Sequence, residues 1–275
     1  MAFVAPKLVL TPLLIASASL AGRRWGALLS GWLIALPLTS GPIALFITLE
    51  QGSTAGTQAA TGALVGAAAQ VAFAAGYVLA SRRWGWLPSL GVASAGFVTA
   101  TVLVAVVVPP DPPLLFGLAI VTIVVGLAFL RTRRVDGPLE VVQPGRWDIP
   151  ARAIVATTLV LGISGLAPVI GGHAAGVIAT YPVYISVLTS FAHRSGGPGQ
   201  ALSVVRGLLL GLPGFSTFFL VLATFLPSMP VVPAFGIALG FAVALNLAIL
   251  LATIRFATAR PRMSPRDGAA ERRGP

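Results

Sequence analysis

Nine apolar runs, separated by short polar or basic breaks, fill most of this chain. They are Ala5–Gly22, Gly26–Leu49, Ala55–Ala80, Leu87–Val108, Leu114–Leu130, Ala153–Ile170, Ala174–Phe191, Leu202–Leu226 and Val231–Ile254. A bilayer core of roughly 30 Å needs about 20 apolar residues per helix. Each run is therefore read as a transmembrane helix, and the third and eighth are long enough to tilt. The expected fold is an all-α polytopic membrane protein. A rival reading makes the first run a cleavable signal, because Lys7, an apolar stretch and Ala16-Ser17-Ala18 follow in that order. Arg23-Arg24 favours a retained helix with a cytoplasmic stop.

The breaks carry the charge. Arg23 and Arg24, Arg82 and Arg83, the segment from Arg131 to Arg152, Arg194 and the basic tail alternate with breaks holding Glu50, Asp111, His173 and Ser228. Lys7 is the one base on the second set. Basic loops face the cytoplasm, so the expectation is an N-terminus outside and a C-terminus inside a bacterial inner membrane. Adding or removing one internal span would scramble the separation, which supports the odd count.

Composition narrows the class further. Of 275 residues, 56% are hydrophobic and 9% charged, where a soluble domain carries about 25% charged residues. The net charge of +11 is spent on orientation and on anionic headgroups. Nucleic acid is not expected as a partner, since a basic footprint needs a soluble face. Cysteine is absent, which removes disulfides, thiolate metal sites and a cysteine nucleophile. Arginine far outnumbers lysine, and alanine and glycine are abundant, which fits a GC-rich bacterial genome.

Two stretches repeat at one spacing. Gly31 to Gly66 aligned without a gap on Gly176 to Gly211 pairs Pro37 with Pro182, Phe46 with Phe191, Gly52 with Gly197, Gly62 with Gly207 and Gly66 with Gly211. Residues 1–108 form the first four-span copy and 109–131 a linking span. Residues 132–152 form a cytoplasmic loop, 153–254 the second copy and 255–275 a basic tail. A single span between four-span copies starts the second copy from the opposite face. The expectation is an inverted repeat, a common transporter architecture.

Both copies interrupt an apolar run with proline, at Pro37 and Pro182. An interior proline removes a backbone hydrogen bond, and in lipid the freed carbonyl needs a partner. Thr39, Ser40, Thr180, Tyr181, Tyr184, Ser186 and Thr189 crowd the two breaks. The breaks are therefore a candidate midplane site, against the plainer reading of packing kinks. Arg206 is the one base within a span and is a candidate for an anionic group; snorkelling to the headgroups is the alternative. Gln58 is the nearest polar neighbour of its counterpart, Thr61. Gly62-x-x-x-Gly66 and Gly207-x-x-x-Gly211 allow close helix approach, for sliding or for static packing. Glu50 reads as an interfacial carboxylate, and His193 with Arg194 as a cytoplasmic anchor.

Catalysis is not expected. Gly162-Ile163-Ser164-Gly165 has the Gly-x-Ser-Gly form of rhomboid-type proteases, but Ser164 needs a histidine in reach. His193 falls at the other end, and His173 in the loop just after that span. No metal-ligand cluster and no P-loop is present, and no cofactor is expected.

The second copy, Ala174–Leu226, resembles the bacterial inner-membrane GlpM family and related uncharacterised membrane families. The resemblance rests on Gly176-Val177-Ile178-Ala179-Thr180-Tyr181-Pro182, the Gly197 turn, Arg206 and the aromatic run Phe215, Phe218 and Phe219. The turn His193–Gln200 is longer here, and the first copy lacks the aromatic before Pro37 and the arginine. The resemblance implies a four-span unit, here fused to a second one, and brings no catalytic residue.

The expected function is a secondary transporter or facilitator of a small metabolite, an anion if Arg206 binds it. The alternative is a non-transporting scaffold or accessory protein for envelope polymer or lipid machinery. Substrate-site candidates are Arg206, Tyr181, Pro182, Tyr184, Ser186, Pro37, Thr39, Ser40 and Gln58. Membrane lipids and a small-molecule substrate are the expected partners, and a homodimer is left open.

Overall fold

A computed structural model of the chain describes residues 4–37, 40–132, 148–158 and 181–258. Among the described residues every regular element is α-helical. In chain order they are α1 (Val4–Trp25), α2 (Ala27–Ile34), α3 (Ser40–Gln51), α4 (Ser53–Ala80), α5 (Trp86–Val107), α6 (Pro112–Arg131), α7 (148–158), α8 (Val183–Phe225) and α9 (Val231–Thr258). Five of these, α4, α5, α6, α8 and α9, are long and apolar enough to cross a membrane. The chain is an α-helical, membrane-embedded protein.

The helices begin and end where backbone chemistry demands. Asp111 accepts a hydrogen bond from Leu114 N (3.0 Å) with Pro112 and Pro113 behind it. That is a side-chain cap followed by residues that need no helical donor. The second apolar run is not one continuous helix. It divides into α2, of 8 residues, and α3, of 12, neither of which crosses a bilayer alone at 1.5 Å per residue. The break falls at Pro37, where Ala35 and Leu36 N–H groups bond back to Trp32 and Leu33 carbonyls in a tightened turn. The seventh and eighth runs are joined as α8, bent at Gly196 and Gly197. Helix α8 starts at Val183, straight after Pro182. Ala174 to Thr180 and most of the sixth run lie outside the described residues.

Gly52 and Gly197 have nearly the same backbone, φ 87° and ψ 171° against φ 71° and ψ −172°. That region is open to glycine almost alone. The helical stretches that follow, Ser53–Ala80 and 198–225, end at equivalent positions, pass through the turns 81–85 and 226–230, and restart at Trp86 and Val231. The elements thus keep the spacing that separates Pro37 from Pro182. Alanine at Gly52 or Gly197 is expected to cost about 1–3 kcal/mol each, read as a loss in unfolding free energy of the purified protein.

Helices α4 and α8 form the centre. In their most apolar stretches 67% and 61% of residues are buried, against 17%, 28% and 22% for α5, α6 and α9. The outer three therefore present most of their surface outward. The first turns of α4 meet the end of α8 at Gly56 and Leu226. The end of α4 meets the first limb of α8, where Tyr77 approaches Thr189 and His193. The second limb of α8 thus runs antiparallel to α4. Helix α5 packs on α4 through Gly76 and Gly96, and Gly126 of α6 sits between Val71 and Leu209.

Candidate functional site

The break before α8 brings three helices together around one side chain. Tyr181 is half-buried, with its ring edge-on to Phe73 of α4 (6.5 Å) and Phe97 of α5 (5.7 Å). Edge-to-face packing suits the ring quadrupoles. Its hydroxyl shares a 2.7 Å hydrogen bond with Ser94 of α5 and accepts one from Ser186 Oγ at 3.1 Å. Ser186 Oγ also reaches the Pro182 carbonyl, 2.9 Å away. That carbonyl already receives the Ser186 N–H, at 3.0 Å. The polar groups at this break are therefore paired across helices as well as along their own.

The break at Pro37 is less decorated. Pro37 is buried, Ser40 half-buried, and Gly41 N–H bonds the Pro37 carbonyl at 3.0 Å. Gly41 rests against Phe218 of α8. Thr39 lies outside the described residues, as do Thr180, Ser164 and His173. Pro182 and Ser186 are buried and Tyr184 half-buried, so the Tyr181 cluster is the part of the expected site that the fold assembles. Gln58 is exposed on α4 and does not join it.

Arg206 serves another element. Its guanidinium donates to the Leu130 carbonyl at 2.6 Å, on the last turn of α6. The last carbonyls of a helix lack internal donors and favour cations, so Arg206 caps α6.

The two glycine pairs behave differently. A methyl group at Gly207 would strike the Leu28 carbonyl and Trp32 N, and one at Gly211 would strike Ala35 and the Trp32 carbonyl. Gly31 meets Val204 and Leu208 backbone from the other side. Helices α2 and α8 thus touch backbone to backbone. Gly62, by contrast, has open space beside it among the described residues.

His193 is not a surface anchor. It is 9% exposed, and its Nδ1 lies 3.3 Å from Tyr77 OH. Arg194 beside it is exposed. Nearby, Asp148 bridges Arg152 (2.9 Å) and Arg23 (3.4 Å), and Arg152 stacks over Phe191 at 5.3 Å. The basic ends of α1 and α7 therefore meet beside the first limb of α8. Glu50 is exposed at the end of α3.

Sequence reasoning passed over Tyr77, Ser94, Trp32 and Asn246. Each is a lone polar group in an apolar run, which was a visible signal; their partners are distant in sequence. Among the described residues no three acidic or histidine side chains cluster in a way that could hold a metal. Compared with known families, curated proteins and solved structures, the chain matches none.

Proposed function

We propose that this protein is a secondary transporter or facilitator of a small metabolite, built from two inverted four-span units around a central span. The observation that carries the reading is the pairing of breaks. Pro37 and Pro182 stand just before helices α3 and α8, and each of these helices leads to a glycine bend of matching dihedral angles. The helical stretches after those bends run antiparallel, as inverted halves require. The Tyr181, Ser94 and Ser186 hydroxyls would line the path, and rocking of one unit on the other would alternate access. The gathering of Arg23, Asp148 and Arg152 at one end supports an N-terminus outside, in a bacterial inner membrane. An anionic cargo would be met by the Arg206 guanidinium, which donates to the Leu130 carbonyl.

A second reading, a non-transporting scaffold or accessory protein for envelope polymer or lipid machinery, draws on the other hydroxyls. Thr48, Thr57, Thr61, Thr101, Ser203 and Thr217 each bond a carbonyl of their own helix. Hydroxyls so used have given their one donor to the backbone.

A thermal-shift screen of small metabolites on the purified protein separates the two. Transport predicts that at least one metabolite stabilises the wild type and loses its effect in Tyr181→Phe, and that an anion also loses it in Arg206→Ala. If nothing stabilises the wild type and a strain lacking the protein grows normally across carbon sources, the transport reading fails.

A further inference from the structure

Helices α2 and α9 both lean on the second limb of α8, and a cleft of about 400 Å³ lies between them, lined by Trp25, Leu28, Leu29 and Leu250. Its size is within the roughly 300–1,000 Å³ of ligand pockets. Its walls are almost wholly apolar. One helical turn along α2 from Leu28 and Leu29 is Trp32. One turn along α9 from Leu250 is Asn246. Residues four apart share a helix face, so each of the two lies one turn along its helix from the cleft wall.

Both also meet α8. Trp32 packs on Gly211 of α8, and the Asn246 amide lies against Gly214, three residues on. Positions three apart on a helix are about 5–6 Å apart at Cβ. Asn246 is 1% exposed, and among the described residues neither its Oδ1 nor its Nδ2 has a hydrogen-bond partner. Trp32 Nε1 is also buried without one among those residues. A buried amide with neither its donors nor its acceptor used calls for an occupant, the more so where lipid offers none.

We propose that this cleft binds an uncharged amphiphile from the membrane, an alkyl chain ending in a hydroxyl or carbonyl group. The chain would lie along Trp25, Leu28, Leu29 and Leu250, and the head would bond Asn246 and Trp32 Nε1. Asn246 supplies two donors and an acceptor, and Trp32 a donor, so a hydroxyl or a carbonyl can be matched. Neither charge nor metal is needed. The proposal is independent of the transport reading, because Tyr181, Pro182 and Pro37 take no part in it.

The test is thermal unfolding of the full chain in nanodiscs with two probes of equal tail, n-dodecanol and n-dodecane. The expected result is a clear rise in Tm with dodecanol, at least double that with dodecane, and loss of the difference in Asn246→Leu. Trp32→Phe keeps the ring and removes only Nε1, and it is expected to reduce the difference; it serves if the Asn246 variant does not fold. Equal effects of the two probes, no effect of either, or an undiminished difference in both variants would each overturn the proposal. So would self-association of the wild type that Asn246→Leu abolishes without any head-group effect, since the occupant would then be a second copy.

Discussion

Alanine at Gly207 is expected to destabilise the protein strongly, while alanine at Gly62, its counterpart in the repeat, is expected to be neutral or stabilising. Both glycines sit within long helices, so intrinsic propensity favours alanine at each by about 1 kcal/mol. At Gly62 nothing opposes that gain, because the added methyl enters open space among the described residues. At Gly207 the methyl meets the Leu28 carbonyl and Trp32 N. Backbone cannot rotate aside as a long side chain can, so α2 must move off α8. Overpacking of this kind costs about 1–3 kcal/mol, and the upper part of that range is expected here. Alanine at Gly31 should behave like alanine at Gly207, since it strikes Val204 from the opposite side. Unfolding of the purified variants in parallel checks the contrast. Equal effects at Gly62 and Gly207 would contradict the packing described.

Tyr181→Ala is expected to cost about 3 kcal/mol, near the low end for removing a large aromatic side chain because the residue is only half-buried. The lost ring fills the space between Phe73 and Phe97, so α4, α5 and α8 lose a shared contact. Tyr181→Phe isolates the hydroxyl. It keeps the ring and removes the partner of Ser94, at an expected cost of about 1 kcal/mol. Ser186 retains its bond to the Pro182 carbonyl, which limits the damage. If the hydroxyl also contacts a substrate, Tyr181→Phe will abolish metabolite-induced stabilisation while unfolding almost as the wild type does. A purely structural hydroxyl would move stability alone.

Several features were legible in the chain itself. Long apolar runs with few charges can be satisfied in lipid only by helices, so helical class and membrane embedding follow from composition and length. The equivalence of Gly52 with Gly197 was readable as punctuation, and the backbone there has the positive φ that glycine tolerates. The break at Pro37 was readable because a ring nitrogen cannot donate. The fate of the glycine pairs was not. Gly62 and Gly207 carry the same local signal, and only the neighbour each helix meets separates them. His193 departs from its expected place for a related reason. Near a run's end a histidine reads as a headgroup anchor, but Tyr77, distant in sequence, draws it inside.

Arg206 marks the same boundary between chain and fold. Its presence within an apolar run demanded a partner, and that much was written in the sequence. Which partner it takes depended on where α6 ends, because the Leu130 carbonyl becomes an acceptor only once the helix stops near it. By itself the sequence determined helical class, membrane embedding, the break at Pro37 and the glycine bends, since these arise from local covalent chemistry and from the solvent the chain must suit. Tertiary structure alone decided that α2 and α8 touch through Gly31 and Gly207, that Tyr181 joins Ser94, and that Trp32 and Asn246 both pack on α8. Such contacts join residues far apart in the chain, and no local pattern encodes which apolar faces will meet.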